Sequence, residues 1–273
     1  MRRTIVALAA ATCAFETVRV SRLVPRWDRD RCLGTVRERV GPRGIEVEVV
    51  GDADDEPWRF LLPGTATSSL GGTVWPSSAA AAVLVRTLRP AVVGKRVLEL
   101  GSGLGLAGLA CAAAGADRAL LTDSAPELVD ARDLPPRVEA SVLDWADERT
   151  YATAFRADVV IGADVAYYAP VVAPLEAALR AHCGPGAVAI VVGERKREAM
   201  HLLRAALPDA ATLDFDLEVA VDVVADPSDP APPPPAAPPT TVGIGVLVHA
   251  SEPAARDALL DLARREGAAP PVP

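Results

Sequence analysis

Residues Val97–Gly108 read VLELGSGLGLAG, and this stretch decides the fold. An apolar run carries one acid, Glu99, and gives way to a glycine-dense turn at Gly101, Gly103 and Gly105. An alanine-rich segment of helical character follows. A strand feeding a tight turn that opens a helix can hold a nucleotide-like cofactor against backbone N–H groups. The spacing discriminates between cofactors. A dinucleotide site wants G-x-G-x-x-G, whose third glycine lets helix and strand approach. Counted from Gly101, that third position is Leu106 and the register fails. Counted from Gly103 it runs through Gly105 and Gly108, but it then begins inside the turn. The pattern E-x-G-x-G-x-G, with Glu99 two residues before the first glycine, fits better. Gly101, Ser102 and Gly103 are small enough for a ligand to approach the backbone closely. The plainer alternative is a glycine-rich turn without a ligand.

Composition bounds the rest. The chain has 273 residues, half of them apolar, enough to bury one large α/β core. A net charge of −8 argues against a generic nucleic-acid binder. Cys13, Cys32, Cys111 and Cys183 form no C-x-x-C pair, and His182, His201 and His249 are scattered, so no metal site is expected. No run reaches the roughly 20 apolar residues of a membrane span. Residues 1–40 read as a leader. Arg2–Arg3 before the apolar Thr4–Ala14 have the shape of a signal peptide. Arg19, Arg22, Arg26, Arg29 and Arg31 suit an organellar transit segment, and Ala14–Phe15 resembles a plastid cleavage site, whereas Asp28 and Asp30 count against one. A first strand is the bland alternative. Cytoplasmic, plastid and secretory destinations all stay open.

Within residues 41–70, Ile45–Val50 alternates apolar and acidic residues, and Trp58–Leu62 is a second short strand across the turn Asp52–Pro57, predicting a β-hairpin extension. Residues 71–267 form the main domain. Gly71–Pro76 leads into a helix over Ser77–Leu88. Strands at Arg96–Leu100, Arg118–Asp123, Val138–Trp145, Ala157–Asp164 and Ala187–Gly193 alternate with helices at Leu104–Ala114, Val171–Ala181 and Glu194–Leu207. The turn CGPG closes the second of these helices. Such alternation argues for a parallel sheet covered on both faces. Leu213–Val224 and Val242–Ala250 then follow without a helix between them and should pair antiparallel. Their connection, 226–240, contains APPPPAAPP and reads as an extended loop with polyproline character, or as a docking element for a proline-reading partner. Ser251–Gly267 reads as a terminal helix and 268–273 as a disordered tail.

The segments GGTVWPSSAAAAVLV, KRVLELGSGLGLAGLACAAAGA, LLTD, VLDW and VVIGADVAYY occur in this order. Across roughly residues 71–195 they resemble the methyltransferase-like protein-lysine methyltransferases, which modify chaperones, elongation factors and calmodulin. These are class I S-adenosyl-L-methionine-dependent enzymes. The resemblance implies a Rossmann-like, doubly wound α/β fold, a mostly parallel seven-stranded sheet with a C-terminal antiparallel hairpin. It implies S-adenosyl-L-methionine as cofactor and a protein presenting a lysine as substrate. Glu99 would help hold the cofactor's ammonium over the floor made by Gly101, Ser102 and Gly103. Asp123, about 20 residues past the glycine turn, is placed to accept both ribose hydroxyls, or else to cap the next helix. The resemblance sets Trp145 beside the adenine, with Asp144 able to accept from its amine, and Trp75 over the cofactor. Ala163, Asp164 and Tyr167 form a D-x-x-Y substrate-side motif at the end of the fourth strand. It differs from the N-P-P-Y of enzymes that methylate planar nitrogens. One departure stands out: the region after Asp123 is short and carries Pro135–Pro136, so its helix is truncated or replaced by a loop.

The chemistry expected is in-line displacement by a neutral amine. Positive charge leaves sulfur and appears on nitrogen, so Asp164 beside that nitrogen stabilises the transition state more than the neutral attacking amine. Tyr167 would orient the lone pair. Asp164 alone opposes loss of the ammonium proton; water or desolvation of the substrate site would have to drive it, and no dedicated base is evident. The other readings are a methyltransferase for a small-molecule amine, a catalytically silent cofactor-binding scaffold and, more distantly, a nicotinamide oxidoreductase.

Overall fold

The computed structural model describes residues 15–26, 32–41, 44–51, 56–63, 70–130, 134–225 and 238–265. Four antiparallel strands come first: β1 (Phe15–Pro25), β2 (Gly34–Gly41), β3 (Gly44–Gly51) and β4 (Trp58–Leu62). Helix α1 (Pro76–Thr87) follows, with proline in its first turn and an unbroken buried run Ala79–Val85. The alternating half comprises β5 (Arg96–Leu100), α2 (Leu106–Ala114), β6 (Arg118–Asp123), α3 (Pro126–Asp130), β7 (Val138–Val142), β8 (Ala157–Ala163), α4 (Val172–His182), β9 (Cys183–Glu194) and α5 (Glu198–Ala206). The long hairpin β10 (Ala211–Ala225) and β11 (Thr240–Ala250) and helix α6 (Pro253–Arg265) complete the chain.

Among the described residues all eleven strands join one sheet, in the order β4-β3-β2-β1-β10-β11-β9-β8-β5-β6-β7. The strands β7, β6, β5, β8 and β9 run parallel; every pairing from β9 through β11 out to β4 is antiparallel. After Arg96, β5 is buried throughout, as a central parallel strand covered on both faces must be. Helices α1, α2 and α6 contribute to one apolar cluster, α4 and α5 to a second on the other face.

The sheet corrects the seven-stranded expectation. The extra strands come from the N-terminal region: β1 and most of β2 lie within the stretch read as a leader, and β1 pairs along its whole length with β10, Phe15↔Ala225 to Pro25↔Phe215. The segment Ile45–Leu62 is accordingly part of a four-stranded meander, not an isolated hairpin. The alternating pattern IEVEVV showed a half-wet strand but could not say what lay beside it. Residues 1–14, nearly all of the proline-rich 226–240, and the tail 268–273 lie outside the described residues. CGPG is not a free turn: Cys183 already pairs with Ala157 at the start of β9, ahead of a register shift. Helix α5 begins at Glu198, because Glu194–Arg197 forms a turn in which the Arg197 N–H donates to the Glu194 carbonyl, 3.0 Å. The helix after Asp123 is short, five residues.

Candidate active site

Strand order reverses at β5, which has β6 on one side and β8 on the other. Beyond the carboxyl ends of strands at such a reversal the sheet leaves a crevice where ligands sit. The loop after β5 is shaped for that place. Gly101 has φ 61°, a left-handed conformation that glycine takes without the penalty of a Cβ. A Cβ there would lie 2.8 Å from Val165 Cγ1 and 2.9 Å from Trp145 Cζ2. At Gly103 it would lie 3.0 Å from the Gly71 carbonyl oxygen. The glycine loop therefore touches the segment before α1, the Trp145 loop after β7 and the residue following Asp164.

Glu99 is buried, and its carboxylate accepts from the Gly108 N–H in the first turn of α2, 3.0 Å. The acid lies under the helix N-terminus, where a negative charge is favoured. It fastens the helix to the strand that feeds it. Gly108 allows this: a Cβ there would lie 2.1 Å from Leu121 Cδ2 and 2.6 Å from Glu99 Oε2. That is the helix–strand contact of a third fingerprint glycine, and the G-x-G-x-x-G register beginning at Gly103 was its signal. Ser102 is buried, its N–H donating to the Thr122 carbonyl at 2.8 Å.

Asp123 ends β6. One carboxylate oxygen accepts from the Gly103 N–H at 2.9 Å, the other from the Ala125 N–H at 3.1 Å. The side chain thus ties the glycine loop to the β6 edge and also makes a local Asx turn. Asp144 accepts from the Ala146 N–H at 2.9 Å, turning the chain so that Trp145 reaches Gly101. The Trp145 carbonyl accepts from the Tyr151 hydroxyl at 2.9 Å, bracing that loop.

Trp75 stands at the N-cap of α1, half-buried. The residue before it is held from the N-terminal sheet. The Arg19 guanidinium donates both to the Val74 carbonyl and to the buried Glu38 carboxylate. Burial pushes the Glu38 carboxyl above its usual range, against the opposing pull of Arg19. Sequence reasoning missed this pair; alternating charge on two strands does not say which side chains turn inward.

Ala163 ends β8, half-buried, and Asp164 follows with φ 61°. The Asp164 N–H donates to the Val192 carbonyl at 2.8 Å. Its carboxylate has two partners that the sequence did not reveal. Ser77 Oγ on α1 lies 3.3 Å from Oδ1, and Arg197 Nη2 ahead of α5 lies 3.2 Å from Oδ2. The same Nη2 lies 3.4 Å from Glu194 Oε1. Burial raises the Asp164 pKa and the Glu194 charge adds to this, while Arg197 and the Ser77 hydrogen bond oppose it. Tyr167 and Tyr168 come next, both exposed, with ring centroids 4.9 Å apart and planes at 33°. Burial of part of the ring raises the Tyr167 phenol pKa, and Tyr168 and Asp123 add to the shift, so the phenol stays protonated at neutral pH.

The loop at Gly101 and Gly103, the acceptor Asp123 and the flat Trp145 ring fit a nucleoside bearing an amino-acid arm. Among the described residues no group of His, Cys, Asp and Glu could hold a metal ion, and no helix is long and apolar enough to cross a membrane. The fold and these motifs define an S-adenosylmethionine-dependent methyltransferase. Residues 61–203 match the model of the lysine methyltransferase family, and the chain belongs to that family. It is 29% identical over 205 residues to the mouse (Mus musculus) EEF1A lysine methyltransferase 3, covering 68% of this chain and 84% of that relative. It is 33% identical over 88 residues to the histone-arginine methyltransferase METTL23 of Xenopus laevis, covering 32% of this chain and 37% of that one. Among solved structures, the branched-chain polyamine synthase of Thermus thermophilus matches with TM-score 0.43 and 20% identity, over 65% of this chain and 56% of that chain.

Proposed function

We propose that this methyltransferase transfers a methyl group to the ε-amine of a lysine in a protein substrate, with Asp164 and Tyr167 on the substrate side of the crevice. One observation carries the reading: D-x-x-Y and the glycine loop share one edge. Val165 lies against Gly101, and Tyr167 is near enough to Asp123 to feel its charge. Gly101, Ser102 and Gly103 form the cofactor floor, Asp123 is the acceptor for ribose hydroxyls, and Trp145 and Trp75 wall the site, with Asp144 at the adenine end.

Bound S-adenosylmethionine supplies a sulfonium-activated methyl carbon, and transfer to a neutral lysine nitrogen leaves S-adenosylhomocysteine and a methylammonium. The chain's residues act on the lysine. Tyr167 and Tyr168 present exposed rings along which the lysine's methylene chain can lie, while the Tyr167 hydroxyl stays protonated and can accept from the amine. Asp164 lies where positive charge develops on nitrogen. Its hydrogen bonds from Ser77 and Arg197 are long, and each oxygen retains a lone pair for an amine N–H. The lysine proton leaves to water before attack.

Incubation of the enzyme with methyl-labelled cofactor and a desalted cell extract tests the reading. ε-N-Methyllysine in a discrete protein band after acid hydrolysis supports it. Label confined to small molecules indicates a free amine acceptor, and cofactor binding without transfer indicates a silent scaffold. Elongation factor 1A, named by the mouse relative, is the first purified protein to try.

A further inference from the structure

A carboxylate beside an incoming lysine has two opposed effects. It favours the cation that forms in the transition state, and it equally favours the protonated, unreactive ammonium. The site holds a group that addresses this conflict. Arg197 Nη2 reaches both Asp164 Oδ2 at 3.2 Å and Glu194 Oε1 at 3.4 Å. The pairing is not a two-pronged fork. Among the described residues the buried Arg197 Nε has no hydrogen-bond partner, and a single Nη2 serves two acids. An arginine serving only as a fastener would be expected to satisfy its donors; this one reads as a charge set beside a carboxylate that stays in use.

We propose that Arg197 is a positioning residue for methyl transfer, offsetting the Asp164 charge so that the lysine in the site sheds its proton to water and attacks as the neutral amine. This rests on the lysine reading above. The charged groups acting on Asp164 are Arg197 and Glu194, both from the turn between β9 and α5; α1 contributes the uncharged Ser77 hydroxyl. With Arg197 in place the three charges sum to −1, and without it the lysine meets two uncompensated carboxylates. The sequence showed no dedicated base and left the deprotonation to water or to desolvation of the site. Here the agent is a neighbouring cation rather than a base.

The test compares wild type with Arg197→Gln and Arg197→Lys. Rates of ε-N-methyllysine formation are followed from pH 6.5 to 9.5, with desalted extract protein as acceptor. Removing a charge a few ångströms from the carboxylate should move the acid limb of the Arg197→Gln profile up by about one pH unit, a roughly tenfold loss near pH 7 that recovers in alkali. The half-saturating extract concentration should fall or stay level, and Arg197→Lys should restore most of the wild-type profile. A second readout needs no cofactor. In protein labelled with carbon-13 at aspartate, the Asp164 carboxyl resonance, assigned with Asp164→Asn, should titrate at higher pH in Arg197→Gln than in wild type. If Arg197→Gln loses the same fraction of rate at every pH, or the Asp164 midpoint does not move, Arg197 is only a fastener. If the wild-type enzyme forms no methyllysine at any pH, the lysine reading itself fails and takes this inference with it.

Discussion

Gly101→Ala should separate two costs that coincide at the cofactor loop. Gly101 sits at φ 61°, so any L-residue there bears the left-handed penalty, about 1–2 kcal/mol. Its Cβ would also stand 2.8 Å from Val165 Cγ1 and 2.9 Å from Trp145 Cζ2, well inside contact distance. Val165 is buried, whereas Trp145 is half-buried and is the freer of the two to yield. Relieving that overlap should cost a further ~1–3 kcal/mol. The total is about 2–5 kcal/mol, or a fall in Tm of roughly 3–9 °C for a chain of this size. Displacing Trp145 into the crevice should also weaken S-adenosylhomocysteine binding by about tenfold or more, about 1.4 kcal/mol. Gly94→Ala is the matched control. Gly94 has φ 69° with nothing within 4 Å of a Cβ, so it bears the backbone cost alone. Denaturant melts and calorimetric titration with S-adenosylhomocysteine read both terms. If Gly101→Ala is no less stable than Gly94→Ala and binds as tightly as wild type, the Trp145–Gly101 contact does not shape the site.

Asp164→Asn should cut methyl transfer by about 100-fold or more while leaving S-adenosylhomocysteine affinity within a few-fold; equal turnover would refute the catalytic assignment. Asp123→Ala removes the carboxylate that accepts from the Gly103 N–H and should weaken S-adenosylhomocysteine binding at least tenfold in the same calorimeter. Glu38→Ala strips the carboxylate partner from Arg19, leaving it the Val74 carbonyl, and should destabilise the fold by about 3 kcal/mol on urea unfolding; an unchanged midpoint would mean the pair contributes nothing net. His182 is buried with Nε2 unpartnered, and burial holds its folded pKa below 6.5. The unfolded chain therefore takes up the proton first, so this stability is full above about pH 6.5 and is lost as pH falls below it. Melts at pH 7.5 and 5.5 should show a smaller loss for His182→Gln than for wild type, with His249 supplying part of what remains.

The alternating strands and helices from Arg96 to Ala206 were legible because each carries its own periodicity and turn chemistry. Strand β6 matches its reading residue for residue, and α5 starts late only because its first residues make a turn. The glycine loop was legible for the same local reason. Of the four added strands, β3 and β4 were legible as the hairpin at Ile45–Leu62, whereas β1 and β2 were not. The residues of β1 read as equally good leader, and only the long hairpin after α5 supplies the edge they pair with. The missed site residues, Ser77, Arg197, Arg19 and Glu38, share one property: each meets its partner across a gap of 19 or more positions, up to 87 for Ser77 and Asp164.

By itself the sequence determined most of the strands and helices from Ile45 onward, where the cofactor loop lies, and which acid and tyrosine follow the fourth strand of the alternating half. These follow from short-range periodicity, glycine placement and motif order. Tertiary structure alone decided how many strands the sheet holds, that Glu99 faces α2, and that Asp164 works beside Arg197. Strand neighbours and buried charge pairs are selected by what the folded chain brings within a few ångströms, and no local pattern encodes that distance.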